Sequence, residues 1–156
     1  MASVKELLQR KSPFVASVSP TAWVVEAARE MSERRIGSLV VIDGGLVCGM
    51  LTERDVLTRV VAERRDPATT AVGEVMSSDV IVCRPETNLD DCKRMISSCR
   101  VRHVPVVDAE GRLVGIVTSG DILHRDLDEQ GEAIETLQTY IYGSIAVVKA
   151  GMSGSN

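Results

Sequence analysis

The sequence predicts an α+β (mixed α/β) fold made of two copies of one β-α-β-β-α unit, followed by a C-terminal helix. The first observation is a doubled element, Gly49–Leu57 and Gly115–Leu123, in which Gly, two apolar residues, Thr, two variable residues and Asp recur. In both copies, Thr followed by an acid three residues later is the pattern of a helix capping box. The segments before each copy also match, so the sequence predicts a duplicated unit.

Each unit opens with a short amphipathic turn, followed by a β-like run that a proline ends. Proline cannot donate a hydrogen bond to a sheet, so it favours a turn from the strand into the next helix. The opening turns and β-like runs are Val4–Leu8 with Phe14–Pro20, and Val72–Met76 with Asp79–Pro85.

A helix follows each proline, because apolar residues then recur at helical spacing. Thr21 and Asn88 stand near the two helix starts as suitable capping residues. A strand, a tight turn and a second strand complete the unit, and the doubled element supplies that second strand and the start of the last helix. The strands before the turns are predicted over Ile36–Ile42 and Val101–Val107.

The repeat and the composition together predict the domain boundaries. Beyond the repeat, an apolar stripe predicts an amphipathic helix that docks on its own core, on a dimer partner or on a client protein. The small polar residues at the end predict disorder. The predicted segments are 1–66 (first motif), 67–71 (linker), 72–125 (second motif), 126–143 (C-terminal helix) and 144–156 (tail).

Composition argues against several classes of protein. The net charge is −4, and the chain has only one Trp, one Phe and two Tyr, which disfavours nucleic-acid binding. No apolar run approaches the roughly 18 residues that span a bilayer, and charged residues near the start argue against a signal peptide. We therefore expect a cytoplasmic protein with neither a nucleic-acid nor a membrane partner.

The sequence offers no metal or catalytic pattern. Its four cysteines form no Cys-x-x-Cys pair, and two histidines cannot complete a zinc site. We expect buried, reduced thiols, with Cys92 and Cys99 on one helical face. No Ser-His-Asp or Cys-His arrangement can be proposed, so we expect no catalytic residue, no metal, no required cofactor and no enzymatic activity.

In this order, the motifs resemble a tandem pair of CBS domains, a family named after cystathionine β-synthase. The resemblance covers about residues 4–125. It rests on the doubled Gly-apolar-apolar-Thr-x-x-Asp element, on Arg-His-Val-Pro-Val-Val-Asp at 102–108, and on Gly-Glu-Val-Met at 73–76. It implies two halves packed through three-stranded sheets as one pseudo-twofold unit, with two clefts between them for adenosyl ligands.

The resemblance also nominates binding residues. In the family, the Asp of the doubled element holds the ribose and the Thr contacts the ribose–phosphate region. The residue chemistry agrees, because a carboxylate can accept both ribose hydroxyls and a helix N-terminus attracts phosphate. Helix capping alone explains the same residues, and the two roles are compatible. The nominated residues are Thr52 and Asp55 for one cleft, and Thr118 and Asp121 for the other.

Basic residues near the second strand are expected to face phosphate. By resemblance, Arg102 and His103 point into a shared phosphate region. Arg54, which lies inside the first copy of the doubled element, can add a further positive charge. The alternative is a solvated Arg102, a partly buried His103 and an exposed Arg54 at a helix start. Gly37 and Ser38 stand at the matching places in the first half, so we expect unequal clefts.

The family lines its adenine pocket with the backbone before each proline. Sequence alone cannot separate such contacts from ordinary strand pairing. The adenine-pocket candidates are Ala16, Val18, Ile81, Cys83 and Pro105.

The predicted function is a non-catalytic regulatory or energy-sensing module. It binds AMP, ADP or ATP between its two motifs, forms a homodimer and passes the change to a client protein. Two alternatives remain open: a structural dimerisation module with vestigial clefts, or a sensor of S-adenosylmethionine or NAD(H).

Overall fold

The computed structural model describes residues 2–129, of which 2–122 lie within one compact unit. It has the predicted α+β character. Most of the predicted C-terminal helix, and the whole predicted tail at 144–156, lie outside the described residues. The first half contains α1 (Val4–Gln9), β1 (Ser17–Val18), α2 (Val24–Arg34), β2 (Ser38–Asp43), β3 (Leu46–Thr52) and α3 (Glu53–Val56), which continues as a π-helical turn, Leu57–Val61. The second half contains α4 (Val72–Val75), α5 (Leu89–Cys99), β4 (His103–Val107), β5 (Leu113–Thr118) and α6 (Ser119–Glu129).

The two halves build similar but unequal sheets. In the first sheet, β1 runs parallel to β2, and β2 pairs antiparallel with β3. In the second, β4 and β5 form an antiparallel pair. The register of both antiparallel pairs shifts at matching points, between Val41 and Ile42 and between Val106 and Val107.

The β-like run predicted over Asp79–Pro85 is not a strand, so the expectation of two three-stranded sheets is wrong for the second half. A single parallel bridge joins Cys83 to Val106. In the first half, the Val40 N–H donates to the Ala16 carbonyl at 3.2 Å. Pro105 occupies the matching position and has no N–H to donate, which shortens the ladder.

The opening helix of each half packs into the core of the other half. Val4 of α1 belongs to the core that contains α5, β4 and β5, and the Val4 N–H donates to the Thr87 carbonyl at 2.9 Å. Val72 of α4 belongs to the core formed by α2, β2 and β3, and its N–H donates to the Ala22 carbonyl at 2.8 Å. This exchange ties the two halves together.

The exchange explains the glycine that begins each doubled element. A Cβ atom added at Gly49 would lie 2.5 Å from the Met76 Sδ and 3.0 Å from the Ser77 carbonyl oxygen, just beyond α4. A Cβ atom at Gly115 would lie 2.6 Å from the Leu8 Cδ2 of α1. Both glycines therefore permit a close approach of the exchanged segment.

Two local expectations can be checked at the helix ends. Asn88 caps α5 as predicted, because its Oδ1 accepts from the Asp90 N–H at 2.8 Å. Thr21 does not cap α2: Trp23 is the N-cap residue, and the Thr21 hydroxyl pairs with Ser19 instead. The backbone N–H of Trp23 donates to the Glu26 carboxylate, within α2, at 3.1 Å.

The cysteines only partly match the expected burial. Cys83 and Cys92 are buried and Cys48 is half-buried, and all the cysteines are free thiols. Cys99 is exposed, against the expectation that it shares the buried face with Cys92. It is the last residue of α5, where the helix ends.

Candidate functional site

Both Thr–Asp pairs form the predicted capping boxes. The Asp55 N–H donates to the Thr52 Oγ1 at 3.1 Å, and the Thr52 N–H donates to the Asp55 Oδ2 at 3.0 Å. The corresponding distances for Thr118 and Asp121 are 3.1 and 2.8 Å. Each carboxylate is therefore held rigidly at a helix start.

Asp55 receives further donors from the region around α4. It is only 7% exposed, and the Ser77 hydroxyl donates to both of its oxygens, at 3.2 and 3.4 Å. The Arg59 guanidinium lies 3.9 Å from its Oδ1 and also donates to the carbonyls of Val75 and Met76, at 3.0 and 2.9 Å. Arg59 thus joins the end of α4 to this carboxylate.

Asp121 has a different partner. The Lys11 ammonium, two residues beyond the end of α1, donates to the Asp121 Oδ2 and to the Ile116 carbonyl, the latter at 2.9 Å. Both side chains are partly exposed, 25% for Lys11 and 20% for Asp121. Sequence reasoning did not identify Lys11, because it lies more than a hundred residues away from its acceptors.

A cavity of about 540 Å³ lies between residues of the two halves, within the size range of small-molecule sites. Thr52 and Ser77, which both bond Asp55, are on its wall. Met50, Val80 and Ile81 supply apolar surface. Of the nominated site residues, the structure brings Thr52, Arg54, Ile81, Arg102 and His103 to this cavity.

The remaining adenine-pocket candidates lie elsewhere. Ala16 and Val18 pack against the first core, and Pro105 is buried within β4. Cys83 is 4% exposed within the second core. Its hydrogen bond to Cys92 and its burial raise the pKa of the Cys83 thiol, which keeps this thiol protonated.

The cavity carries more basic than acidic groups. Arg54, Arg100 and Arg102 line it together with the carboxylates Glu53 and Asp79. Sequence reasoning missed Arg100. This residue follows α5 in a left-handed backbone conformation, with φ 53°, and it stands in no binding motif of the sequence. Three guanidinium groups against two carboxylates give this cavity a positive balance on an acidic protein.

His103 lines the cavity and is also close enough to Lys11 and Asp121 for their charges to affect its pKa. Burial, followed by the positive charge of Arg102, lowers the pKa of His103 from its usual 6.5. Asp121 raises this pKa and Lys11 lowers it. The imidazole therefore responds to charges at both places.

Two absences can be stated for residues 2–129. Within this range, no group of three or more His, Cys, Asp or Glu side chains is arranged to hold a metal ion. Nor does any described helix combine the length and apolar character needed to cross a membrane.

Comparisons with known proteins agree on one family. The family model described as "CBS domain" matches residues 4–62 and 72–128. The CBS domain-containing protein YhcV of Bacillus subtilis is 38% identical over 122 residues, 78% of this chain and 84% of that protein.

Solved structures match over most of the described chain. The CBS domain structure NE2398 has a TM-score of 0.76 at 32% identity, covering 81% of this chain and 99% of that one. CBSX2 in complex with AMP has a TM-score of 0.72 at 27% identity, covering 83% and 99%. The CBS domain pair of MJ0100, in complex with methylthioadenosine and S-adenosyl-L-methionine, has a TM-score of 0.69 at 27% identity, covering 79% and 98%.

Proposed function

This chain belongs to the CBS domain family, and from that premise we propose that it is a non-catalytic regulatory module that binds an adenine nucleotide. AMP, ADP or ATP occupies the cavity that Thr52, Ser77 and Arg102 line. The bound nucleotide changes the link between the two halves, and a client protein detects that change. Related CBS pairs in complex with AMP or with S-adenosyl-L-methionine support an adenosyl ligand.

The observation that carries the proposal is the placement of Asp55 behind the cavity wall. Thr52 and Ser77, which both hydrogen-bond Asp55, face the cavity. A rotation of the Ser77 hydroxyl gives a ribose access to the carboxylate, which can accept two hydroxyl donors.

Charge distinguishes the ligand classes. The three arginines of the cavity favour a phosphate, because guanidinium groups form strong charge-assisted bonds with phosphate oxygens. S-adenosylmethionine carries a sulfonium cation and gains less from this balance. The charge of the cavity therefore supports a nucleotide over S-adenosylmethionine.

Two exposed residues support a homodimer. Leu57 and Val61 are each 62% exposed and lie one helical turn apart after α3. Apolar residues at this spacing favour burial against a second surface. We propose that a second copy of the chain covers them, which sedimentation of the chain and of the variant Leu57→Glu tests.

Thermal melts test the ligand directly. AMP, ADP, ATP, S-adenosylmethionine and NADH are each added, and a bound ligand at a hundredfold excess over its Kd stabilises the chain by about 2.7 kcal/mol. Asp55→Asn should reduce the shift, while Glu63→Gln, an exposed carboxylate with the same change of charge, should retain it. No shift with any ligand would instead favour a structural dimerisation module.

A further inference from the structure

The two capping carboxylates are covered by chemically different donors. Asp55 accepts from the neutral hydroxyl of Ser77, which faces the cavity. Asp121 accepts from the ammonium of Lys11, which also holds the Ile116 carbonyl. A hydroxyl can turn away and accept a hydrogen bond from a ligand, whereas an ammonium can only donate.

The packing of α1 fixes the position of Lys11. Leu8 of α1 lies directly against Gly115, and the Lys11 N–H donates to the Leu8 carbonyl at 3.2 Å. This backbone bond places the lysine side chain at the outer edge of β5, where the Ile116 carbonyl and the Asp121 carboxylate are its acceptors. The lysine is therefore part of the exchanged segment rather than a loose surface residue.

We propose that Lys11 occupies the position at Asp121 that a ribose would take in the second of the two clefts expected from the repeat, so that the chain binds a single adenine nucleotide, in the cavity beside Thr52. A ribose at Asp121 must displace an ion pair and leave the ammonium with one acceptor. A ribose at Asp55 displaces the Ser77 hydroxyl and leaves the Arg59 guanidinium in place, which lies 3.9 Å from Oδ1 and donates instead to the carbonyls of Val75 and Met76. This inference rests on the proposed function and adds to it the reason that the two clefts differ.

Calorimetric titration with AMP tests this proposal by its stoichiometry per chain. The wild type should bind one AMP, and Lys11→Met should bind two, because the second carboxylate becomes available. The double variant K11M/D121N should return to one. Lys5→Met is the matched control, since Lys5 is exposed on α1 and its replacement should leave one site. Circular dichroism checks the fold, and Lys11→Gln replaces Lys11→Met if the latter does not fold.

The outcomes separate this inference from the proposed function. Two AMP molecules on the wild type, or only one on both Lys11 variants, would overturn the role of Lys11 and leave the proposed function intact. Weaker binding of the first AMP by the Lys11 variants would also overturn it, because the lysine would then assist binding. Absence of AMP binding to every variant would contradict the proposed function and this inference together.

Discussion

The Ser77 hydroxyl donates to the Asp55 carboxylate, 3.2 Å from Oδ1 and 3.4 Å from Oδ2. Ser77 follows the exchanged helix α4, whereas Asp55 opens the last helix of the first motif. The bond therefore joins two parts of the repeat at the wall of the cavity. In the proposed complex, a ribose bonded to the carboxylate would release this connection, so that binding would be coupled to the packing of α4.

Replacement of Ser77 by alanine should lower the stability of the ligand-free protein and raise its affinity for the ligand. Loss of one hydrogen bond to the carboxylate should lower the free energy of unfolding by about 1 kcal/mol. If the ribose displaces this hydroxyl, the substitution costs the complex less stability than it costs the free protein. The affinity for AMP should therefore rise by up to about fivefold.

Chemical denaturation and calorimetry measure both effects. Ser78→Ala, an exposed neighbour, is the control and should change neither quantity. A fall in AMP affinity for Ser77→Ala would show that the ligand bonds the hydroxyl instead of displacing it.

Acidification should destabilise the protein through His103. Burial, then Arg102, keeps the pKa of His103 below its usual 6.5 in the folded state, so the unfolded chain binds the proton first. The free energy of unfolding should therefore fall as the pH decreases from about 6.5 toward the folded pKa. Denaturation of the wild type and of His103→Gln across this window should show a smaller loss for the variant, and equal slopes would contradict the assignment.

Nucleotide binding should depend on pH in the opposite direction. A phosphate in the cavity raises the pKa of His103, because the negative charge stabilises the imidazolium. The affinity for AMP should thus rise between pH 7.5 and 6, and binding should take up a proton. Calorimetry in buffers of different ionisation enthalpy measures this uptake. Because the phosphate of AMP has its own second pKa of about 6, the contribution of His103 is the difference between the wild type and His103→Gln. The variant should take up fewer protons, and unchanged uptake would place the proton on another group.

The sequence predicted the local elements better than their partners. The period of the repeat places α2, α5 and both antiparallel strand pairs, because hydrophobic spacing and turn residues act over short distances. The exchange of α1 and α4 depends on contacts between residues distant in sequence. Gly49 and Gly115 were the sequence indication of this exchange, since a glycine within a strand often marks a close backbone approach.

The candidate site shows the same limit. The doubled motif indicated Thr52 and Asp55, and the structure adds Ser77, Arg59 and Arg100 around them or in the cavity. These three residues lie in segments with no recognisable binding motif. Ser77 and Arg100 reach this region only once the two halves are packed together, whereas Arg59 lies one helical turn after Asp55, a spacing that the sequence alone displays.

The two motif glycines should differ in their tolerance of alanine. At Gly49 the added Cβ meets a backbone oxygen, that of Ser77, at 3.0 Å, in addition to the Met76 side chain. At Gly115 the three nearest atoms all belong to the Leu8 side chain, at 2.6–3.2 Å. Gly49→Ala should lower the free energy of unfolding by about 2–3 kcal/mol and Gly115→Ala by about 1–2 kcal/mol. Urea denaturation measures both.

Gly44, in an open turn, gives a further comparison. Its φ of 57° leaves backbone strain as the main cost of alanine, because nothing lies within 4 Å of the added atom. Its replacement should therefore cost about 1 kcal/mol. An equal loss at all three positions would show that close approach of the exchanged segments is not what the motif glycines provide.

Two substitutions, Val40→Pro and Pro105→Val, should show why the second sheet lacks a third strand. Val40→Pro removes the donor of the 3.2 Å bond to the Ala16 carbonyl and should lower the free energy of unfolding by about 1–3 kcal/mol. Pro105→Val supplies the missing N–H donor opposite Ile81, which stabilises the folded state. It also raises the conformational entropy of the unfolded chain, which opposes that gain, so the free energy of unfolding should change by less than about 1 kcal/mol.

Hydrogen exchange separates these effects from a simple change of stability. In Pro105→Val, the new amide at position 105 should be protected, and protection of the flanking segment near Cys83 should rise. Val114→Ile, at an exposed position of the neighbouring strand β5, keeps the donor pattern of the sheet; it is the control and should alter neither. Rapid exchange of the new amide would mean that the second half lacks its third strand for a reason other than the missing proline N–H.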